Sequence, residues 1–263
     1  MHRNDFYNRI EEGFVRTMLQ QVTDHFYGRG LRPAFIEVGA NDGVSSSKVL
    51  EFIRDHEWHG LLVEPVPATF ARLRENMAPY PRVQPVHCAI ADKAGTLPFY
   101  QVIGSGERSG DTWLPMLSSF DAEVIRKQRV FWPDIEDHIT QIEVPAMTLA
   151  SLCAEHQMPR LDVLLVDAEG YDDIVVRSLN FDTYKPLLIT IEHLHLSPPR
   201  LRALDGLLTA LGYQRCILWM DSWYFCGDIL KDQCIQDMLR VMPTLMPVYD
   251  RQYGNGYWMS HYD

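Results

Sequence analysis

Five carboxylates and two histidines stand in or just after short apolar runs of this chain: Glu37, Glu64, Asp167, Glu169 and Glu192, with His193 and His195 directly behind the last. Acids at such positions can accept the hydroxyl hydrogens of a ribose, balance a bound cation, or take a proton from a reacting hydroxyl. Glu37 lies inside the run Ala-Phe-Ile-Glu-Val at 34–38. A carboxylate there is costly unless a cation or a ring of N–H donors meets it. His193 carries an imidazole that titrates near neutral pH, so it is the candidate base, with Asp167 or Glu192 orienting it. The alternative is that His193 and His195 alternate and one of them packs inward as a neutral core group. A further alternative has Asp167, Glu169, Glu192 and His193 hold a divalent metal, for which oxygen-rich ligands suit magnesium, calcium or manganese better than zinc. A site without metal is the favoured expectation.

The elements that must position these groups are legible around 35–47. An apolar run breaks at Gly39 and Gly43 before a helical pattern over 44–56, which predicts a strand, a tight turn and a helix. Gly39 permits the sharp turn, Gly43 permits close approach of a ligand, and free N–H groups at the helix start would face it. Gly39-x-x-x-Gly43 has two glycines, with Asn41 where a dinucleotide fingerprint needs another. An acid two residues before such a turn resembles motif I of S-adenosylmethionine-dependent methyltransferases. Glu37, Gly39, Asn41, Gly43 and Ser46 are therefore cofactor-side candidates, and an ordinary strand-to-helix turn is the bland alternative.

Gly60-Leu-Leu-Val-Glu64-Pro65 reads as a second buried strand ending in an acid. Glu64 follows Gly39 at close to the roughly 20-residue interval expected of an acid that holds a ribose. A third strand is expected over 83–91, hairpin-linked to a fourth over 95–103, and its end makes Ala89, Ile90 and Asp92 candidates for the base of a nucleoside. Upstream, Phe6, Ile10, Phe14, Met18, Val22 and Phe26 mark an amphipathic N-terminal helix ended by Gly28 and Gly30. Residues 104–141 break the rhythm with Gly, Ser, Asp, Trp and Pro, as a lid or substrate insertion would, with a short helix near 122–130.

The pattern resumes with a strand over 141–147, a helix capped by Thr148, and a central strand over 161–167. Asp172 and Asp173 then fall in the first turn of a helix, where they complement its dipole. Further on come a strand over 187–191, a helix opened by Ser197 and Pro198, and two antiparallel strands, 213–220 and 222–226, joined at Asp221. The aromatic tail 246–263 is expected to cover the substrate mouth or a partner subunit.

With 263 residues, 46% of them hydrophobic, one well-filled α/β domain is expected over 1–263. Lys plus Arg total 24 against 35 Asp plus Glu, a net charge of −11, which argues against a nucleic-acid partner. There is no long apolar run and no export signal, so a cytoplasmic chain without a membrane span is expected. The five cysteines lack paired spacing and suit core thiols.

Four blocks, 35–43, 60–76, 87–100, and 147–179 with 189–192, together resemble the FkbM family of methyltransferases. Asp167, Glu169 and Gly170 match its Asp-x-Glu-Gly block, Glu192 matches its later strand-end acid, and Ser118 and Ser119 match its double serine. The family commonly has Lys two residues before that Asp, where Leu165 stands here, so a charged contact of relatives is expected to be missing.

The resemblance implies a class I methyltransferase (Rossmann-like) fold: a mostly parallel seven-stranded sheet with an antiparallel final hairpin. It further implies S-adenosyl-L-methionine as cofactor and O-methylation of a sugar, glycan or natural-product hydroxyl. Glu37, Gly39, Asn41, Gly43, Ser46, Glu64, Pro65, Ala89, Ile90 and Asp167 would bind the cofactor. His193, Asp167 and Glu192 would be catalytic, and Ser118, Ser119, Glu169 and His195 would meet the substrate. A homo-oligomer is possible. Two other functions share these features: a nicotinamide-dependent oxidoreductase on the same sheet, and a non-catalytic nucleoside-binding module.

Overall fold

The computed structural model describes residues 3–45, 47–103, 116–130 and 132–242. In chain order the elements are α1 (Arg3–Tyr27), β1 (Ala34–Val38), α2 (Leu50–His56), β2 (His59–Val63), α3 (Pro67–Met77), β3 (Val83–Val86), β4 (Ala89–Ile90) and β5 (Gly95–Val102). There follow β6 (Ser118–Ser119), α4 (Ala122–Arg126), β7 (Ile139–Met147), α5 (Leu149–Glu155), β8 (Val163–Val166) and α6 (Asp172–Arg177). The last are β9 (Leu188–Glu192), α7 (Pro198–Ala210), β10 (Gln214–Leu218) and β11 (Asp221–Phe225).

Seven strands form the main sheet in the order β10-β11-β9-β8-β1-β2-β3. From β3 to β9 all neighbours are parallel, and β11 runs antiparallel to both β9 and β10. This is the mostly parallel sheet with a reversed final hairpin that the resemblance implies. Parallel strands need both faces covered, and the sequence supplies this by making β1 and β8 apolar almost throughout. Phe35, Leu62, Val163 and Trp223 pack with Met18, Leu19 and Val22 of α1 and Phe52 of α2. On the opposite face Ile36, Val63, Leu164 and Ile189 meet Leu152, Val176, Leu204 and Leu208 of α5, α6 and α7. The N-terminal helix therefore packs across the sheet. Cys88, Cys153, Cys216 and Cys226 are buried free thiols. Among the described residues no helix is long and apolar enough to cross a membrane.

Three local expectations are corrected. The helix predicted from 44 starts only at Leu50, because Asp42 Oδ1 accepts from the N–H groups of Val44 and Ser45, and Ser47 Oγ accepts from Val49 and Leu50. Side chains that capture nearby amides compete with helix formation, and here they also withdraw those amides from the cleft. The predicted third strand splits: β3 joins the main sheet, while β4 joins a second sheet ordered β4-β7-β5-β6. No hairpin links β4 to β5, because β7 lies between them, parallel to β4 and antiparallel to β5 over eight register pairs. Ser197 precedes α7 with Pro at its start but makes no side-chain cap, whereas Thr148 Oγ1 accepts from Ser151 N as expected.

Candidate active site

A cleft of about 970 Å³, mouth included, opens beyond the carboxyl ends of β1, β2 and β8. Its charged lining is Glu37, Lys48, Glu64, Asp167 and Glu169. Gly39 makes its floor possible. The residue has φ +82°, and a Cβ there would fall 1.9 Å from the Asp167 carbonyl oxygen. The Asp167 N–H donates to the Val38 carbonyl at 2.9 Å, so the two strand ends are fastened together. Gly39, Asn41, Pro65, Ala89, Ile90 and Ser118 also line the cleft. Met116 and Phe120 join them, so the described part of the 104–141 segment reaches it.

Gly43 does not line the cleft. It has φ +73°, and a Cβ on it would meet Leu73 Cδ1 at 2.7 Å and Met77 Cε at 2.8 Å, so its smallness serves packing against α3 and not ligand approach. Ser46 and the tail 246–263 lie outside the described residues, as do 104–115 and 131 of the proposed insertion.

Glu64 is 4% exposed and ends β2 facing the β1 turn. Its Oε2 accepts from Asn41 N at 3.1 Å and its Oε1 from Val66 N at 2.8 Å. Each oxygen keeps a second acceptor site for a ligand donor. Burial pushes the Glu64 carboxyl up to about 7, even against these two amides.

Glu37 and Lys48 line the cleft together. Burial raises Glu37 to about 8, opposed by the Lys48 ammonium and a hydrogen bond from the Lys48 amide. Lys48 Nζ lies 2.5 Å from Asp221 Oδ2 at the start of β11. Burial alone would lower the Lys48 pKa, but Asp221 and Asp167 hold the ammonium firmly protonated. Leu165 pairs in register with Glu37 and leaves its side of the strand uncharged. Lys48 brings a cation to the cleft. Nothing in the run Ser-Ser-Ser-Lys announces this, since only tertiary folding brings residues 48 and 221 together.

At the other side Asp167, Glu169 and Glu192 gather. Enclosure by the cleft walls and the neighbouring Glu169 push Asp167 up to about 7, with Lys48 opposing, while the residue itself still meets solvent in the cleft. Burial and the same Glu169 hold Glu192 well above the usual carboxylate range. His195 Nε2 is 3.2 Å from Glu169 Oε2 and 3.8 Å from Glu192 Oε2. Ser119 donates to the Glu169 carbonyl at 2.8 Å, so it props the turn and does not line the cleft. Asp172 does more than complement a helix dipole: fully buried, it accepts from Gly170 N at 3.2 Å and Glu192 N at 3.1 Å, knitting the β8 turn to the end of β9.

His193 is placed elsewhere. It is 4% exposed, is not among the cleft-lining residues, and its Nδ1 lies 3.0 Å from Ser222 Oγ. Arg215 donates twice to that same oxygen, at 3.0 and 2.7 Å, which leaves the serine's own proton for His193 Nδ1. The orienting partner at Nδ1 is thus Ser222, where Asp167 or Glu192 was expected. His195 meets both Glu169 and Glu192.

A doubly wound sheet with a reversed last hairpin, a glycine turn after the first strand and an acid after the second define a class I methyltransferase fold. The chain belongs to the FkbM methyltransferases: the family's model, "Methyltransferase FkbM domain", matches residues 37–215. It is 25% identical over 144 residues to "2-O-methyltransferase NoeI" of Sinorhizobium fredii, covering 55% of this chain and 56% of that protein. The chain thus spans little more than half the length of that relative. Among solved structures it resembles Methyltransferase FkbM from Methylobacillus flagellatus KT, with 13% identity, TM-score 0.44, and coverage of 74% of this chain and 43% of that one. It also resembles Aeropyrum pernix fibrillarin in complex with S-adenosyl-L-methionine, with 12% identity, TM-score 0.37, and coverage of 74% and 66%.

Proposed function

We propose that this chain transfers a methyl group from S-adenosylmethionine to a hydroxyl of a sugar, glycan or natural-product small molecule. The observation that carries the reading is Glu64: a carboxylate at the end of the second strand, held by two backbone amides, with free acceptor capacity aimed into the cleft. An acid so placed suits the paired hydroxyls of a ribose. Ala89 and Ile90 then flank the adenine, and Glu37 with the Gly39 turn receives the charged amino-acid end.

Methyl transfer from a sulfonium is an in-line displacement with a good leaving group, so the protein mainly positions an acceptor oxygen and accepts its proton. Asp167 is the proposed proton acceptor in place of His193, because its carboxylate lines the cleft beside Glu169 while the His193 ring does not. The NoeI relative is a 2-O-methyltransferase, which supports an oxygen acceptor. The net charge of −11 supports a small or uncharged acceptor over a polyanion. The segment 104–141 is proposed to shape the acceptor side.

Thermal melting with S-adenosylmethionine, S-adenosylhomocysteine, NADH or buffer tests the cofactor. A ligand at 100 times its dissociation constant adds about 2.7 kcal/mol. Labelled methyl donor offered with a panel of glycans, hydroxylated metabolites and carboxylic acids then tests the acceptor. A melting shift with NADH alone, or labelling of carboxylates only, would overturn the reading.

A further inference from the structure

Beside the cleft, Glu169 Oε2, Glu192 Oε2 and His195 Nε2 all lie within 4.8 Å of one another. Both carboxylate oxygens are out of contact with solvent and have no hydrogen-bond partner among the described residues. His195, with a side chain only 7% exposed, points Nε2 between them. One imidazole nitrogen carries at most one proton, so it cannot serve two carboxylate oxygens, and leaving buried acceptors unmet is costly.

The arrangement is held by contacts that do not involve a ligand. Glu169 sits in the left-handed region at φ 47°, and its carbonyl accepts from Ser119. Asp172 receives the amides of Gly170 and Glu192, which fixes the two glutamates relative to each other. Gly170 lies so close to His195 that a Cβ on it would be 3.1 Å from His195 Cβ. Donors held in place by such outer contacts are what a metal centre requires.

We propose that Glu169, Glu192 and His195 bind one divalent transition-metal cation of the manganese class. Two carboxylates favour an oxygen-preferring ion and the imidazole favours a transition metal over magnesium, and three protein ligands leave coordination positions open. Glu169 lines the cleft, so an ion held by it would sit beside the acceptor, whose hydroxyl would be made more acidic on reaching it. That role rests on the methyl-transfer reading, whereas binding of the ion does not. The site differs from the ligand set expected from sequence in using His195 in place of His193.

The test is titration of the chelator-treated chain with Mn2+, following the resonance of the free ion, with S-adenosylhomocysteine affinity measured on the same metal-free samples. About one Mn2+ per chain is expected, showing nitrogen coupling from His195. Glu192→Gln and His195→Gln should each weaken binding roughly tenfold or more and leave S-adenosylhomocysteine affinity within about twofold. No Mn2+ uptake at millimolar concentration, no nitrogen coupling in the unaltered chain, or equal uptake by the variants would overturn the proposal. Mn2+ uptake without S-adenosylhomocysteine binding would support the metal site and overturn the methyl-donor reading. The reverse result would spare that reading and remove the metal.

Discussion

Lys48 and Asp221, 173 residues apart in the chain, meet with Nζ and Oδ2 at 2.5 Å, and their contact ties the approach to α2 to the first residue of β11. Both side chains are largely buried, at 22% and 7% exposure. Removing one partner of such a pair leaves the other charge stranded, which costs about 3–5 kcal/mol.

Lys48→Met should therefore lower unfolding free energy by roughly that amount, measured by urea denaturation. The double variant Lys48→Met with Asp221→Asn should recover a good part of it. A single variant as stable as the parent would mean that the pair contributes nothing.

Glu64→Ala should weaken S-adenosylhomocysteine binding about 10- to 100-fold in calorimetry, since hydrogen bonds to a charged group contribute about 1.5–3 kcal/mol each.

The same residue sets a pH dependence. Burial raises the folded pKa of Glu64 from its ordinary 4.5 to about 7, so its contribution to the stability of the unliganded chain is fully present below about 4.5 and is lost as pH rises through about 7. Ligand hydroxyls favour the ionised carboxylate, so affinity for S-adenosylhomocysteine should move oppositely, rising about tenfold from pH 6 to pH 8. Glu64→Gln should flatten that rise, as titration calorimetry at several pH values would show.

Gly39→Ala should yield little folded protein, because its Cβ would sit 1.9 Å from a backbone oxygen that cannot move without parting β1 from β8. Gly43→Ala meets only side-chain atoms of Leu73 and Met77 and should be milder, although its φ of +73° still disfavours a side chain. Soluble yield and melting temperature of the two variants give the comparison.

Asp167→Asn should slow turnover by about 100-fold or more, a larger loss than that in donor affinity, as expected for loss of a proton acceptor. His193→Ala should instead lower the melting temperature, because it breaks into the buried network with Ser222 and Arg215. If His193→Ala lost turnover at full stability and Asp167→Asn did not, the two roles would have to be exchanged.

The sequence carries the sheet because each parallel strand is a short apolar run, and it carries Glu37, Glu64 and Asp167 because acids are conspicuous within or just beyond such runs. Lys48 and Asp221 could not be paired from sequence, since an isolated lysine before a helix looks like any solvated one. Asp172 looks like a dipole partner in the sequence because its buried acceptor role depends on where β9 ends in space. His193 and His195 are two positions apart, one beside Ser222 and the other beside Glu169, and no periodicity distinguishes them. The start of α2 is not legible because Asp42 and Ser47 capture amides that the helical pattern alone assigns to the helix.

The most direct measurement is a crystal structure with S-adenosylhomocysteine bound. Its ribose hydroxyls should lie within hydrogen-bonding distance of the Glu64 carboxylate, with adenine against Ala89 and Ile90 and sulfur toward Asp167. Density for the ligand at any other place on the chain would contradict the assignment of this cleft as the methyl-donor site.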